Sequence, residues 1–174
     1  MATGRAVLQT ERLSLHEIDA SDLPFLESML CDPDVMRYWP RPYTPEECPG
    51  WIERHQARYK KDGYGYWLTC LKETGEPVGQ TGLLHQVVDG EPLLGLGWIV
   101  HKPFWRQGYA FEAAEGCIQH AFESLGESKV HALIRPENEP SMALARKLGM
   151  SYERMTTYFD FAHAVMARQQ QSSQ

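Results

Sequence analysis

The chain has 174 residues, and its 23 acidic residues against 17 basic ones give a formal net charge of −6. With 43% apolar and 23% charged residues, the composition is typical of one globular domain that buries its own core. A negative chain without a basic stripe is a poor match for nucleic acid, so we expect no nucleic-acid partner. We expect a single domain over residues 1–168 and a flexible tail over 169–174.

The cysteines and histidines do not follow a metal-binding pattern. The four cysteines include no CxxC pair and the seven histidines no HExxH spacing, so we expect no metal ion. The N-terminal stretch lacks the apolar core of a signal peptide, and no apolar run approaches the roughly 18 residues of a membrane helix. These features predict a protein of the reducing cytoplasm without a membrane partner.

The first third of the chain is predicted to form one strand and two helices. Loose alternation indicates a strand over 12–18, and a serine–aspartate pair can cap a short helix over 21–30. Residues 32–43 are rich in proline and aromatic side chains, which is typical of a loop. A capping-box pattern predicts a helix over 44–61, although Pro49 lies where a backbone amide begins to be needed.

The middle of the chain has the composition of an antiparallel meander. Residues 64–71 and 78–88 flank the turn signal ETGEP and predict a hairpin, and an Asp-Gly turn then leads into a third strand over 93–100. Gly95 and Gly97 inside this third strand are costly unless a bulge or a close backbone approach requires them. These two glycines are the first indication of a site.

The helix predicted over 108–125 has the strongest periodicity in the chain, because its apolar residues recur at i, i+3, i+4, i+7 and onward. A short strand over 130–134 follows, then a helix capped by Asn138, and then one or two strands within 152–166. Strand 93–100, the long helix and strand 130–134 would form a crossover unit with parallel strands. The fold class predicted is therefore α/β, with a mixed and mostly antiparallel sheet.

The turn RQGYA, residues 106–110, joins the apolar strand to the long helix. Backbone amides at a helix N-terminus can hold a phosphate, although such a turn can also be an ordinary connection. GLGWIV lacks the last glycine of GxGxxG and the chain has no GxxxxGK[ST], which excludes the Rossmann and P-loop motifs. The glycine-bearing strand, the basic turn and the two capped helices together favour an anion site.

The stretch GWIVHKPFWRQGYAFEA, followed by PENEPSMALARKLGM, resembles the acyl-CoA-binding core of the GNAT superfamily of N-acetyltransferases. The likeness is closest to the branch that acetylates ribosomal-protein N-termini, where the motifs TERL and DPxVMRY recur, and it covers about residues 8–166. The resemblance implies a sheet whose parallel strands splay to admit acetyl-CoA, with helices on both faces. It also implies direct transfer of an acetyl group from acetyl-CoA to a primary amine.

The resemblance further implies where the cosubstrate acetyl-CoA binds. The pantetheine arm would pair with backbone groups near the end of strand 93–100, and the pyrophosphate would lie on the amides of the RQGYA turn, where the helix dipole favours an anion. Asn138 would cap the second helix and hold the cofactor. The cofactor-binding residues implied in this way are Ile99, Val100, Trp105, Arg106, Gln107, Gly108, Tyr109, Ala110, Asn138 and Ser141.

The catalytic side chains common in the superfamily are absent from their usual positions. Gly95 stands where many members have an acidic residue, and Ala145 stands where many have a tyrosine acid. Ser141 occupies the place of a serine that lies in reach of the sulfur in the ribosomal-protein branch, so we expect it to protonate the thiolate. His85 is a candidate base because histidine titrates near neutrality, and a water relay is the alternative. A catalytically degenerate acyl-CoA-binding module is the alternative function.

An aromatic loop is the acceptor wall that the resemblance implies. Met36, Tyr38, Trp39 and Tyr43 would line it, although the same loop could instead seal the core. The excess of acidic residues weakly favours a cationic acceptor, either a protein N-terminus or a small-molecule amine. The sequence leaves the oligomeric state open, with a dimer among the options.

Overall fold

The computed structural model describes residues 2–171, in which eight strands form one sheet in the order β1-β2-β3-β4-β5-β6-β8-β7. The strands are β1 (Ala6–Gln9), β2 (Leu13–Glu17), β3 (Tyr66–Leu71), β4 (Pro77–Val88), β5 (Glu91–Val100), β6 (Lys129–Ile134), β7 (Ser151–Tyr158) and β8 (Phe161–Gln169). The helices are α1 (Leu23–Leu30), α2 (Cys48–Asp62), α3 (Tyr109–Glu123) and α4 (Glu139–Lys147). Short 3-10 turns cover Ala20–Asp22, Pro45–Glu47 and Lys102–Phe104.

The sheet has the mixed directions that the sequence predicts. All neighbouring strands run antiparallel except β5 and β6, which run parallel and are joined through α3 as a crossover unit. The parallel pairing contains one register pair, Gly95 opposite His131. The chain after α4 forms the hairpin β7–β8, so the predicted terminal strands are confirmed as two strands.

Three boundaries differ from the sequence prediction. Ala6–Gln9 forms an edge strand that pairs with β2, and no strand was predicted there. The capping box before α2 is present, but its residues form a 3-10 turn and the α-helix begins only at Cys48. Pro49 therefore lies in the first turn of α2, where its missing amide has no helical partner to lose. The first residue of the predicted tail, Gln169, belongs to β8, and residues 172–174 lie outside the described residues.

Helices cover both faces of the sheet, as expected. On one face α3 buries Ile118 in a core that also contains Leu83 and Trp67 from the sheet. On the other face α1 and α2 form a second core that includes Trp51 and Leu68. Consecutive residues of β3, Trp67 and Leu68, thus enter opposite cores, as the alternation of strand side chains requires. No helix within residues 2–171 is long and apolar enough to cross a membrane.

Gly95 and Gly97 do not mark a bulge, because the register between β4 and β5 runs without interruption. They mark close approaches of side chains instead. A Cβ atom at Gly97 would lie 2.1 Å from the Tyr66 hydroxyl oxygen, and one at Gly95 would lie 2.0 Å from Gln86 Oε1. The missing side chains of β5 thus make room for a tyrosine from β3, which reaches across β4, and for a glutamine from β4 itself.

Candidate active site

A cleft of about 380 Å³ opens between β5 and β6 beyond their single register pair. Trp98 lines it from β5, and Ile134 lines it from β6. The two strands that are neighbours at Gly95 and His131 therefore separate toward their C-terminal ends. The splayed parallel pair expected from the sequence is present, and it leaves a slot that can receive an extended chain.

Alternate backbone groups of β5 face this slot. The N–H group of His101 donates to the carbonyl of Val78 on β4 at 2.9 Å, and successive strand residues point their backbone groups to opposite sides. Ile99 therefore points its backbone toward β4, while Trp98 and Val100 point theirs toward the slot. Ile99 is also only 5% exposed. Its backbone N–H and C=O groups face β4 and not the slot. Ile99 is therefore not placed to pair with a pantetheine arm, contrary to the sequence expectation.

The segment 106–111, which we call the amide turn, presents a row of backbone donors. Arg106 and Gly108 adopt positive φ angles of 61° and 83°, and Gly108 begins α3 without a side-chain cap. The first helical bond runs from Glu112 N–H to the Gly108 carbonyl at 3.1 Å, and within residues 2–171 no N–H group of the amide turn donates to the protein. These donors lie at the positive end of the α3 dipole, an arrangement that binds phosphate groups.

Arg12, which the sequence reasoning did not select as a site residue, braces the amide turn. Its Nε donates to Glu112 Oε2 at 2.6 Å, and its Nη1 donates to the carbonyl of Gln107 at 3.0 Å. The guanidinium lies 4.7 Å from the centroid of the Tyr109 ring. The hydroxyl of Thr10 also donates to Glu112. Partial burial acts to raise the pKa of Glu112, but these hydrogen bonds lower it below its usual value. The signal available in the sequence was the TERL motif, whose arginine is Arg12.

The predicted side chains of the amide turn and its flank are mostly exposed. Trp105 is 42% exposed, and its indole N–H donates to the Val100 carbonyl at 2.8 Å. Arg106 is exposed, and Gln107 donates through its amide to the Pro103 carbonyl at 3.1 Å. The turn thus projects one guanidinium outward while its shape is held by contacts with its own chain.

Ser141 and Asn138 line the slot from α4. The Asn138 side-chain oxygen accepts from the Ser141 N–H at 3.2 Å and caps the helix, as predicted. The indole N–H of Trp98 donates to Ser141 Oγ at 3.2 Å. Since an indole nitrogen can only donate, the serine oxygen is the acceptor and its own hydrogen remains available for a second partner. Trp98, which was not selected from the sequence, therefore orients Ser141 as a donor.

Two side chains predicted for the site lie outside the cleft. Met36 is 1% exposed within the second core, so it seals the core and does not face an acceptor. His85 is exposed, while its strand neighbours Leu84 and Gln86 line the cleft. Side chains alternate along a strand, so His85 points to the face opposite the cleft. The sequence indicated that His85 lies near the end of a strand, but it did not indicate on which face of the sheet the side chain lies.

Five aromatic side chains, which we call the aromatic wall, line the other end of the cleft: Tyr38, Trp39, Tyr43, Trp51 and Tyr66. Three of them were expected from the aromatic loop. The two that sequence reasoning missed come from α2 and β3, and their rings stack at a centroid distance of 5.8 Å. The glycine at Gly97 was the available signal, because its missing side chain admits the Tyr66 hydroxyl.

His55 on α2 also lines the cleft, and it is neutral. Its Nδ1 accepts a hydrogen bond from the backbone N–H of Tyr66 at 3.1 Å. Burial lowers the pKa of His55 to about 3, with further lowering by the positive charges of Arg58 and Arg54. The lone pair of Nδ1 is committed to the backbone, so the remaining ring nitrogen carries hydrogen. His55 is therefore a donor toward the cleft at neutral pH and is unsuited to removing a proton.

Comparison with known proteins identifies the family. A family model described as an acetyltransferase (GNAT) domain matches residues 12–151. YkkB of Bacillus subtilis is 32% identical over 92% of this chain and 94% of that protein, and the N-acetyltransferase YnaD of the same organism is 25% identical over 84% and 83%. The chain belongs to the GNAT family of N-acetyltransferases. It is an acetyl-CoA-dependent acetyltransferase, as the sequence resemblance implied.

Solved structures agree with the fold. An acetyltransferase from Agrobacterium tumefaciens, 28% identical, superposes with a TM-score of 0.84 over 98% of this chain and 97% of that chain. The ribosomal L7/L12 alpha-N-protein acetyltransferase RimL in complex with coenzyme A has a TM-score of 0.78 over 95% and 98%, at 16% identity. That last likeness shows a shared fold alone. Within residues 2–171, no cluster of three metal-ligating side chains occurs.

Proposed function

We propose that this enzyme transfers the acetyl group of acetyl-CoA directly to a primary amine held against the aromatic wall, with Ser141 as proton donor to the departing thiolate. The contact between Trp98 and Ser141 carries the proposal, because it leaves the serine hydroxyl hydrogen free inside the slot. The alternative of a binding module without catalysis is less well supported, because the slot contains a positioned donor.

The free donors of the structure suggest how acetyl-CoA is held. The pyrophosphate binds the amide turn, with Arg106 adding positive charge beside it, while Arg12 stays paired with Glu112 and holds the turn in shape. The pantetheine arm runs along the slot and pairs with the backbone groups of Trp98 and Val100 that lack a strand partner. In this way an acidic protein binds an anionic cofactor through the local donors of the amide turn, although its net charge is negative.

The transfer requires a neutral amine, stabilisation of the thioester oxygen and a proton for the sulfur. The amine nitrogen attacks the thioester carbon, a carbon–nitrogen bond forms, and the carbon–sulfur bond breaks. A β5 backbone N–H stabilises the oxyanion, and Ser141 gives its proton to the thiolate. A thiol with a pKa near the ~8.5 of cysteine needs only modest help. Water carries the proton lost by the amine back to Ser141, because His85 lies outside the cleft and His55 is not a base.

Release of free thiol from acetyl-CoA, measured with a panel of primary amines, tests this function. Ser141→Ala should lower kcat by about 10 to 100-fold, at the weak end of general acid catalysis, and leave acetyl-CoA affinity nearly unchanged. Ser28→Ala is the matched control, because that exposed serine on α1 donates only to the Phe25 carbonyl. Full kcat in Ser141→Ala across the pH range would assign the proton to water.

A further inference from the structure

The charges around the cleft identify the kind of amine that it fits. Within residues 2–171, the cleft is lined by three arginines but by no aspartate or glutamate, and His55 beside them is neutral. The whole chain carries a formal charge of −6, so the sign of the cleft is opposite to that of the protein. The weak preference for a cationic acceptor inferred from composition is therefore not supported by the site itself.

Two of these arginines have no carboxylate partner. Arg54 and Arg58 lie one turn apart on α2, and within residues 2–171 neither forms an ion pair. In the part of the chain that the structure describes, Arg58 donates to one group, the His85 carbonyl, at 3.4 Å. The acidic residue Glu47 near this helix is already paired with Arg41. Like charges at i and i+4 destabilise a helix, so an anion between them would relieve a cost that the protein otherwise carries.

Guanidinium groups of the protein already lie over three of the aromatic rings that line the cleft. The Arg54 guanidinium lies 5.7 Å from the Trp51 ring centroid and 6.0 Å from that of Tyr43. Arg135, the third lining arginine, lies 4.2 Å from the Phe161 ring centroid and pairs with Glu137. A second cationic group on the acceptor would meet the like charge of three guanidinium groups, and within residues 2–171 no carboxylate lines the cleft to bind it. A polyamine is disfavoured on this ground.

We propose that the acceptor is a small amine that also carries a carboxylate and a large apolar or aromatic body, as in an α-amino acid with a bulky side chain. This inference rests on the proposed transfer to an amine in this cleft. The carboxylate binds between Arg54 and Arg58, and the body packs on the aromatic wall. The amine is then the group left to face the thioester.

Matched amines test the inference through the rate of thiol release. Phenylalanine should have a kcat/KM at least about 10-fold above those of phenethylamine and phenylalaninamide, the scale of one hydrogen bond between charged groups. The amide is a severe control, because removing the carboxylate charge favours the neutral, nucleophilic form of its amine. Equal or faster turnover of the amide, of phenethylamine, of spermidine or of a serine-initiated peptide overturns the inference and leaves the proposed function intact.

Substitutions of the two α2 arginines test where the carboxylate of the acceptor binds. Arg58→Gln and Arg54→Gln should each lower kcat/KM for phenylalanine by about 10-fold and leave the value for phenethylamine unchanged or raised. Arg146→Gln, an exposed arginine on α4 outside the cleft, removes the same charge and should preserve the preference for phenylalanine. A preference that survives in both α2 variants, with unaltered thermal unfolding, overturns the carboxylate site. Absence of thiol release with every amine in the panel contradicts the proposed function as well.

Discussion

The amide turn and the aromatic wall meet a ligand in different ways. Residues 106–108 of the amide turn are exposed and 109–111 are half-buried, and its donors are backbone N–H groups of one continuous segment whose φ angles at Arg106 and Gly108 are positive. The aromatic wall is assembled from side chains of a loop, of α2 and of β3, and two of its rings, Trp51 and Tyr66, are at most 6% exposed. Backbone donors recognise a phosphate whatever the neighbouring side chains are, whereas a wall of side chains changes with each substitution.

Under the proposed function, cofactor binding and acceptor choice belong to separate parts of the chain. The amide turn should lose most of its affinity for CoA only when its backbone changes shape. The aromatic wall and its arginines should respond to single side chains, and the fold should tolerate many of those changes. Substitutions confined to one region show whether the two regions act separately or together.

Gly108→Pro should raise the Kd for CoA by ~100-fold or more, because proline removes one amide and cannot adopt the positive φ of that position. Gly126→Pro is the control, since Gly126 also has a positive φ, of 70°, and lies at the other end of α3. Calorimetric titration with CoA measures both variants. Wild-type affinity in a folded Gly108→Pro protein would show that the amide turn is an ordinary connection.

His55 should make the protein less stable in acid. Its pKa is about 3 in the folded state and 6.5 for an unperturbed histidine, so between these values the unfolded chain binds a proton that the folded chain does not. Stability should then fall by about 1.4 kcal/mol per pH unit as pH decreases through this window. His55→Asn keeps an acceptor for the Tyr66 amide, and urea unfolding between pH 6.5 and 4 should show a slope shallower by that amount. An unchanged slope would mean that His55 is charged in the folded protein.

Arg106→Ala should weaken CoA binding by about 10-fold at low salt, the scale of one charged hydrogen bond. The difference from wild type should shrink as salt is added, because exposed charges are screened. The preference among amine acceptors should stay as in wild type. A change in that preference would mean that the amide turn and the aromatic wall are coupled.

His85→Gln should leave kcat and its pH profile unchanged, because the side chain points away from the cleft. Steady-state rates between pH 6 and 9 check this expectation. A loss of activity confined to low or high pH would show that His85 acts as the general base.

The sequence predicted the elements whose signals are local. The 3.6-residue period fixed α3, the cap at Asn138 fixed the start of α4, and the order of strands and helices predicted the parallel crossover pair. The glycine-containing turn that opens α3 was predictable for the same reason, since a glycine before a helix is a property of one short segment. The edge strand Ala6–Gln9 was missed because four residues are too few to show a period.

The side chains that meet across the sheet could not be predicted from local patterns. His85 and Gln86 are adjacent in sequence, and only the register of β4 against β5 decides that Gln86 faces the cleft. The contact between Trp98 and Ser141 joins residues 43 positions apart. Sequence reasoning did not select Arg54 and Arg58 on α2, and the packing of that helix against the sheet places both at the cleft. Periodicity and caps predicted the fold class because they are local signals. Tertiary packing alone brought three arginines and no carboxylate to the cleft within residues 2–171, because those side chains belong to separate segments of the chain.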